Sequence, residues 1–391
     1  MSKNGYIPLS EPNIGGNAWK YVKECLDTGW VSSAGGFVEA FERKICEFTG
    51  AKHAVAVVNG TSGLQIALRL SGVTAGDEVI VPTLTFIAPV NAVRYMGAEP
   101  VFMDCDSFMN LDPVKLGEFL KTSCRKTSKG TVNKKTGRLI KAILPVHVFG
   151  NPCDMVSIMR LAREYGPKVI EDATESLGSY YTAGKYKARH TGTIGDFGVY
   201  SFNGNKIVTT GSGGMLVTAD RKMAEKAKYL TTQAKDDAVR YVHNEVGYNF
   251  RMTNIQAALG VSQLEQLPAF IRRKRGNFDL YKKALTGVKG LELLGVPVGT
   301  SPNYWFYSLL IDKDLFGKDR ETLMATLSRS GIQTRPVWHL NHQQKPYKGS
   351  QAIKISRAEW FLARILNLPC STGLTKTQLA HVARVIKAAG N

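Results

Sequence analysis

Acidic residues are what this chain has too few of. Across 391 residues, 32 Asp and Glu face 51 Lys and Arg, a formal net charge of +19. That surplus favours anionic partners such as nucleotide sugars, nucleic acid or membrane surfaces, without choosing among them. Aromatics are missing where a nucleic-acid surface would need them. Residues 121–141 carry eight basic side chains with no acid and no Phe, Tyr or Trp, so bases would find nothing to stack on. The segment reads as a solvated loop between a helix and a strand, and Arg272-Arg273-Lys274-Arg275 as the exposed face of a helix. No nucleic-acid partner is expected, and a non-catalytic regulator binding nucleic acid stays a remote alternative resting on charge alone. The six cysteines form no CxxC pair and no His/Cys metal spacing, so no metal is expected; with no signal peptide recognised, they read as reduced thiols of a cytoplasmic protein. No apolar stretch approaches the roughly 18–20 residues a membrane span needs. Internal repeats and low-complexity tracts are lacking too.

What is present is a regular alternation. Apolar runs at 53–58, 78–82, 99–103, 139–146 and 168–172 read as strands, and amphipathic runs at 62–70, 87–96, 113–120 and 155–165 as helices. Strands apolar throughout and separated by helices indicate an α/β fold with a mostly parallel sheet covered on both faces. Ligands of such sheets sit at the carboxyl ends of the strands. After Thr218 come helices at 223–230 and 254–266, the latter capped by Thr253 or Asn254, then a basic helix from about Pro268, an aromatic strand at 304–311 and helices at 320–330 and the terminus. The organisation expected is a large domain over 1–265 and a smaller α/β domain over 266–391.

Three pieces carry chemistry. The turn Asn59-Gly60-Thr61-Ser62-Gly63 offers glycines, hydroxyls and a helix N-terminus to an anion; it is not GxGxxG, which argues against a nicotinamide site. Asp172 ends an apolar strand, where it could also cap a following helix. Lys206 sits between Phe202-Asn203-Gly204-Asn205 and the flexible turn Thr209-Thr210-Gly211-Ser212-Gly213-Gly214, and otherwise reads as a surface lysine. In that order the pieces suit pyridoxal phosphate: a turn for the phosphate, an acid against the pyridinium nitrogen, and a lysine for the Schiff base. The released lysine amine could then carry a proton between substrate carbon and cofactor. Phe86 is either a core aromatic or a ring lying against the cofactor.

Taken together, Gly29-Trp30-Val31-Ser32-Ser33, Asn59-Gly60-Thr61-Ser62, Ile170-Glu171-Asp172-Ala173, Ser201-Phe202-Asn203-Gly204-Asn205-Lys206 and the segment Gly247-Tyr248-Asn249-Phe250-Arg251-Met252-Thr253-Asn254 resemble the DegT/DnrJ family of sugar aminotransferases over essentially the whole chain. Within it, Pro82-Thr83-Leu84-Thr85-Phe86 onward and Tyr229-Leu230-Thr231-Thr232-Gln233 onward look most like LegC-type enzymes of amino-sugar pathways. The resemblance implies a fold type I, aspartate-aminotransferase-like homodimer with shared active sites, and catalytic roles for Lys206 and Asp172. Gly60, Thr61 and Ser201 would hold the phosphate, Phe86 would stack on the ring, Glu175 would lie one helical turn beyond Asp172 near the phenolic oxygen, and Asn254 would reach the phosphate of the other subunit. Trp30, Arg251 and His339 are implied near the substrate. The reaction implied moves an amino group from L-glutamate to a UDP-linked 2-acetamido-2,6-dideoxy-4-ketohexose; a GDP- or dTDP-linked 4-ketohexose is the rival. The basic insert is longer than the family usually carries, and Ser212 stands where Glu or Gly is commoner.

Overall fold

The computed structural model describes residues 5–237 and 239–390. One sheet of eight strands forms its centre, in the order His53–Val57, Gly214–Thr218, Phe197–Ser201, Lys168–Asp172, Ile140–Ile143, Glu78–Pro82, Glu99–Met103, Ala352–Ile353. Gly214–Thr218 runs antiparallel to both neighbours, and the remaining pairs are parallel. Alternate strand residues feed different cores, as the pleat requires. Val79 and Val81 pack beneath the helices Gly60–Leu70 and Ile87–Tyr95, while Ile80 faces Pro113–Ser123 and Met155–Tyr165. Likewise Leu216 joins the first core, and Met215 and Val217 pack on Gly36–Thr49 and Asn254–Leu285. Both faces are therefore covered, which explains strands apolar along their whole length.

A second, antiparallel sheet has the order Leu291–Leu293, Tyr307–Ile311, Ile365–Leu368, Arg335–Pro336. It has a core of its own, including Phe278, Tyr281, Leu323, Leu379 and Ile386. The expected boundary at 265/266 falls inside the helix Asn254–Leu285, which is continuous for 32 residues. Thr253 caps it: its side chain accepts the Gln256 amide, and the Gln256 side chain accepts the Thr253 amide in return. Pro268 does not end this helix. Leu264, Leu267 and Phe270 are buried on either side of it, and that packing outweighs the hydrogen bond proline removes.

Two expectations about charge change here. The basic segment is a β-hairpin rather than a loop: Cys124–Thr127 pairs with Gly130–Asn133, although Arg125, Lys126 and Lys129 are exposed. The Thr127 hydroxyl closes its turn on the Gly130 carbonyl at 2.8 Å. Within Arg272–Arg275, three side chains are exposed but Lys274 is buried, 3% accessible. Among the described residues no helix is long and apolar enough to cross a membrane.

Candidate active site

The three chemical pieces meet in one cavity of about 850 Å³ at the carboxyl ends of the central strands. Its walls include Gly60, Thr61, Phe86, Asp172, Glu175, Ser201, Lys206 and His339. Asn59 caps the 11-residue helix behind the turn, its side chain accepting the Ser62 amide at 2.8 Å. That leaves the helix N-terminus, with its unpaired amides and positive dipole end, facing the cavity. The fit is tight. A Cβ on Gly60 would come within 3.0 Å of the Thr174 methyl and 3.1 Å of the Ser201 Cβ, and one on Gly214 within 2.7 Å of the Gly60 nitrogen. Ser212 helps to hold this corner, its hydroxyl donating to the Val58 carbonyl at 2.9 Å.

Asp172 is buried, and its Oδ1 accepts the Thr174 amide at 3.0 Å. No helix follows it; residues 173–178 form turns, so the helix-cap reading of Asp172 does not apply and Glu175 is brought in by a turn. Burial pushes Asp172 above the ordinary carboxylate value, opposed by Thr174 and the Lys206 charge. A cationic ring nitrogen beside it would supply the missing counter-charge.

Lys206 is no surface lysine: its side chain is 12% accessible. The turn that presents it is closed by the Lys206 amide donating to the Asn203 carbonyl at 3.0 Å. Its Nζ lies 3.8 Å from Glu175 Oε1 and 3.8 Å from the centre of the Trp305 ring. Burial lowers the lysine, opposed by Glu175 and Asp172, and burial raises Glu175, opposed by the Lys206 charge and by the Phe149 amide it accepts at 2.8 Å. A buried amine of lowered basicity is what a nucleophilic lysine requires. Helix N-terminus, buried acid and buried amine together fit pyridoxal phosphate by donor type and by the clearance at Gly60.

Phe86 is exposed at 52% and lines the cavity, so it is not a core aromatic. His339 is exposed there as well. Three implied residues lie elsewhere in this chain. Arg251 is buried against Glu42, and Trp30 is 58% exposed on another surface. Asn254 uses its side chain internally, with Oδ1 accepting the Phe37 amide at 3.0 Å and Nδ2 donating to the Trp30 carbonyl at 2.8 Å.

Two contributors were given no role by the sequence. Trp305 stood in no motif, because its role depends on a contact about a hundred residues away. Glu171 looked like an ordinary strand residue. It is fully buried, accepting His147 Nε2 and the Gly192 amide on one oxygen, each at 2.9 Å, and the Ile194 and Gly195 amides on the other. Glu171 thereby fixes the strand end that carries Asp172.

Known proteins resemble the chain over nearly its whole length. The sequence pattern described as the DegT/DnrJ/EryC1/StrS aminotransferase family matches residues 12–387. A GDP-perosamine synthase of Escherichia coli O157:H7 is 38% identical over 381 residues, covering 97% of this chain and 98% of that protein. A GDP-perosamine synthase of Caulobacter vibrioides is 38% identical over 391 residues, covering 99% and 98%. Among solved structures, the aminotransferase TlmJ from Streptoalloteichus hindustanus matches with a TM-score of 0.87 at 29% identity, covering 98% of this chain and 99% of that one. DesI, crystallised in the presence of its TDP-sugar product, matches with a TM-score of 0.87 at 28% identity, covering 99% and 94%. The partly buried lysine, the buried acid and the glycine turn thus stand on the fold type I scaffold of pyridoxal-phosphate enzymes, and the chain belongs to the DegT/DnrJ/EryC1/StrS family of sugar aminotransferases.

Proposed function

We propose that the chain moves an amino group from L-glutamate to the C-4 keto group of a nucleotide-linked sugar, a UDP-linked 2-acetamido-2,6-dideoxy-4-ketohexose. The observation that carries the reaction is the meeting of Lys206, Asp172 and the Gly60 helix N-terminus in one cavity. When bound, pyridoxal phosphate would supply the electron-poor ring and the aldehyde carbon that amino-group transfer between two substrates requires. Gly60, Thr61 and Ser201 would hold the phosphate, Phe86 would lie against the ring, and Asp172 would supply its negative charge to the ring nitrogen. Lys206, once free, takes and returns the proton at the substrate carbon, with the Glu175 carboxylate 3.8 Å away as its nearest acidic group. His339 stands at the substrate end.

The sugar reading is supported by the LegC-like run from Pro82, of which Thr85, Phe86, Ala88 and Pro89 line the cavity. The GDP-perosamine synthases at 38% identity support the rival, a GDP-linked 4-keto-6-deoxyhexose. A homodimer is part of the proposal, supported by Ile14, Trp19, Leu26 and Trp30, all more than half exposed near the chain's start. The deciding experiment follows the visible band of the lysine-bound cofactor. L-glutamate should bleach it, and the UDP-linked keto sugar should restore it. Restoration by the GDP- or dTDP-linked sugar alone would move the substrate class. No band after pyridoxal phosphate is added would refute the reaction.

A further inference from the structure

Lys274 and Trp305 belong to no recognised motif, yet both are buried and both connect to Lys206. Among the described residues Lys274 has no carboxylate partner; its Nζ donates to two main-chain carbonyls, Trp305 at 3.0 Å and Cys370 at 2.7 Å. The Tyr307 ring also lies 5.7 Å from that Nζ, but a buried ammonium with no carboxylate beside it remains costly to keep.

Here it fixes one end of Trp305, whose every polar group is engaged. The Trp305 amide donates to Asn303 Oδ1 at 2.9 Å, its carbonyl accepts Lys274, and its Nε1 donates to the Asn205 carbonyl at 2.8 Å. Asn303 in turn donates to the carbonyls of Glu175 and Leu177 at 2.9 and 3.0 Å. The ring also stacks on Phe306, with centroids 4.2 Å apart and planes at 27°. A tryptophan tied at three polar points and stacked on one face cannot swing away. Its other restraint is the Lys206 amine, whose Nζ lies 3.8 Å from the ring centre, well within the ~6 Å at which a π face attracts a cation.

We propose that Trp305 is a positioning residue for Lys206, its indole face holding the ε-ammonium whenever the lysine is free, and that buried Lys274 keys the ring into that place. The inference rests on Lys206 being the Schiff-base lysine. The charged groups facing Nζ are Glu175 and Asp172 on one side; Arg335 and His339 line the same cavity, and Glu11 and Lys274 border the small cavity behind it. The carboxylates supply charge without direction, whereas the ring supplies a surface that fixes where the amine rests between half-reactions.

The test reads the amine directly. In the full-length protein freed of its cofactor, acylation of Lys206 by acetic anhydride is followed by mass spectrometry as pH is raised, since only the neutral amine reacts. Trp305→Leu removes the surface that favours the ammonium, so the midpoint should fall by about one pH unit, a tenfold larger neutral fraction at fixed pH. Trp305→Phe keeps a weaker π face in similar volume and should give a smaller shift in the same direction; it decides the matter if the leucine variant does not fold. Lys274→Met, which unkeys the ring, should shift the profile the same way but by less than Trp305→Leu, because losing a nearby positive charge works in the opposite direction. Unchanged profiles in both Trp305 variants would overturn the proposal, and an unchanged profile in Lys274→Met alone would remove Lys274 from it. Failure of the underlying reading looks different: the wild-type protein would then show no visible band with pyridoxal phosphate.

Discussion

Replacing Glu171 with glutamine changes one atom and should be expensive. Each carboxylate oxygen of Glu171 accepts two N–H donors: His147 Nε2 and the Gly192 amide on one, the Ile194 and Gly195 amides on the other. Whichever way a glutamine amide is turned, its NH₂ faces two donors. His147 cannot adapt by changing tautomer, because its Nδ1 already accepts the Cys153 amide at 3.0 Å. Two hydrogen bonds to a charged acceptor are lost, at about 1.5–3 kcal/mol each, so roughly 3–6 kcal/mol is at stake. Thermal unfolding of the two proteins side by side should show a drop on the order of 5 °C or more. The pH dependence supplies a second reading. Burial pushes Glu171 upward, but the His147 bond and the Gly195 and Gly192 amides outweigh it and leave the folded-state value below the ordinary one. A lowered carboxylate stabilises the fold above its unfolded value and loses that contribution as pH falls through the folded one. The acid limb of the melting curve should therefore be shallower in Glu171→Gln. A melting temperature within about a degree of wild type at neutral pH would refute this account of the network.

Further outcomes follow from the cavity and its supports. Lys206→Ala should show no visible band with pyridoxal phosphate, and turnover should fall by at least ~10² for want of the proton carrier. Asp172→Asn should keep the band but lose turnover by a comparable factor, measured as glutamate-driven bleaching, because the ring nitrogen loses its negative partner. Phe86→Ala should leave the melting temperature of the cofactor-free protein unchanged, since the ring is half exposed; cofactor affinity should fall by the roughly 0.5–1.5 kcal/mol of one aromatic contact, read by equilibrium dialysis. Gly260→Ala would place a Cβ 2.6 Å from the Phe41 ring where two helices cross, costing about 1–3 kcal/mol in urea unfolding.

The central sheet could be read closely from the sequence. Strands Glu78–Pro82, Glu99–Met103 and Lys168–Asp172 fall where the apolar runs placed them, because burial on both faces writes a continuous apolar run. Asp172 ends one such run and Gly60 follows another, whereas Lys206 stood out only as a lone lysine in a polar turn beyond Phe197–Ser201. What escaped depended on distant partners. Trp305 gains its role from Lys206 and Asn205, and Glu171 from a turn more than twenty residues on. Lys274 was hidden by its basic neighbours, although a signal existed. Phe270, Lys274 and Phe278 recur at helical spacing and Tyr281 continues the line, all four buried, so periodicity placed the lysine inward while charge suggested the opposite. Pro268 misled likewise, since local propensity yields to packing on both sides.

The eighth strand has a consequence for the order of folding. Ala352 and Ile353 pair with Phe102 and Met103, and Asp104 then accepts the amides of Ser356, Arg357 and Ala358. The edge of the large sheet is thus capped by chain made about 250 residues after the strand it covers. During synthesis the Glu99–Met103 edge stays open while everything in between emerges, with its backbone donors and acceptors available to any other strand. Completion of the sheet is therefore a late event. A chain interrupted before residue 352 would lack this border strand and also Asn367, which lines the cavity and pairs with Arg335.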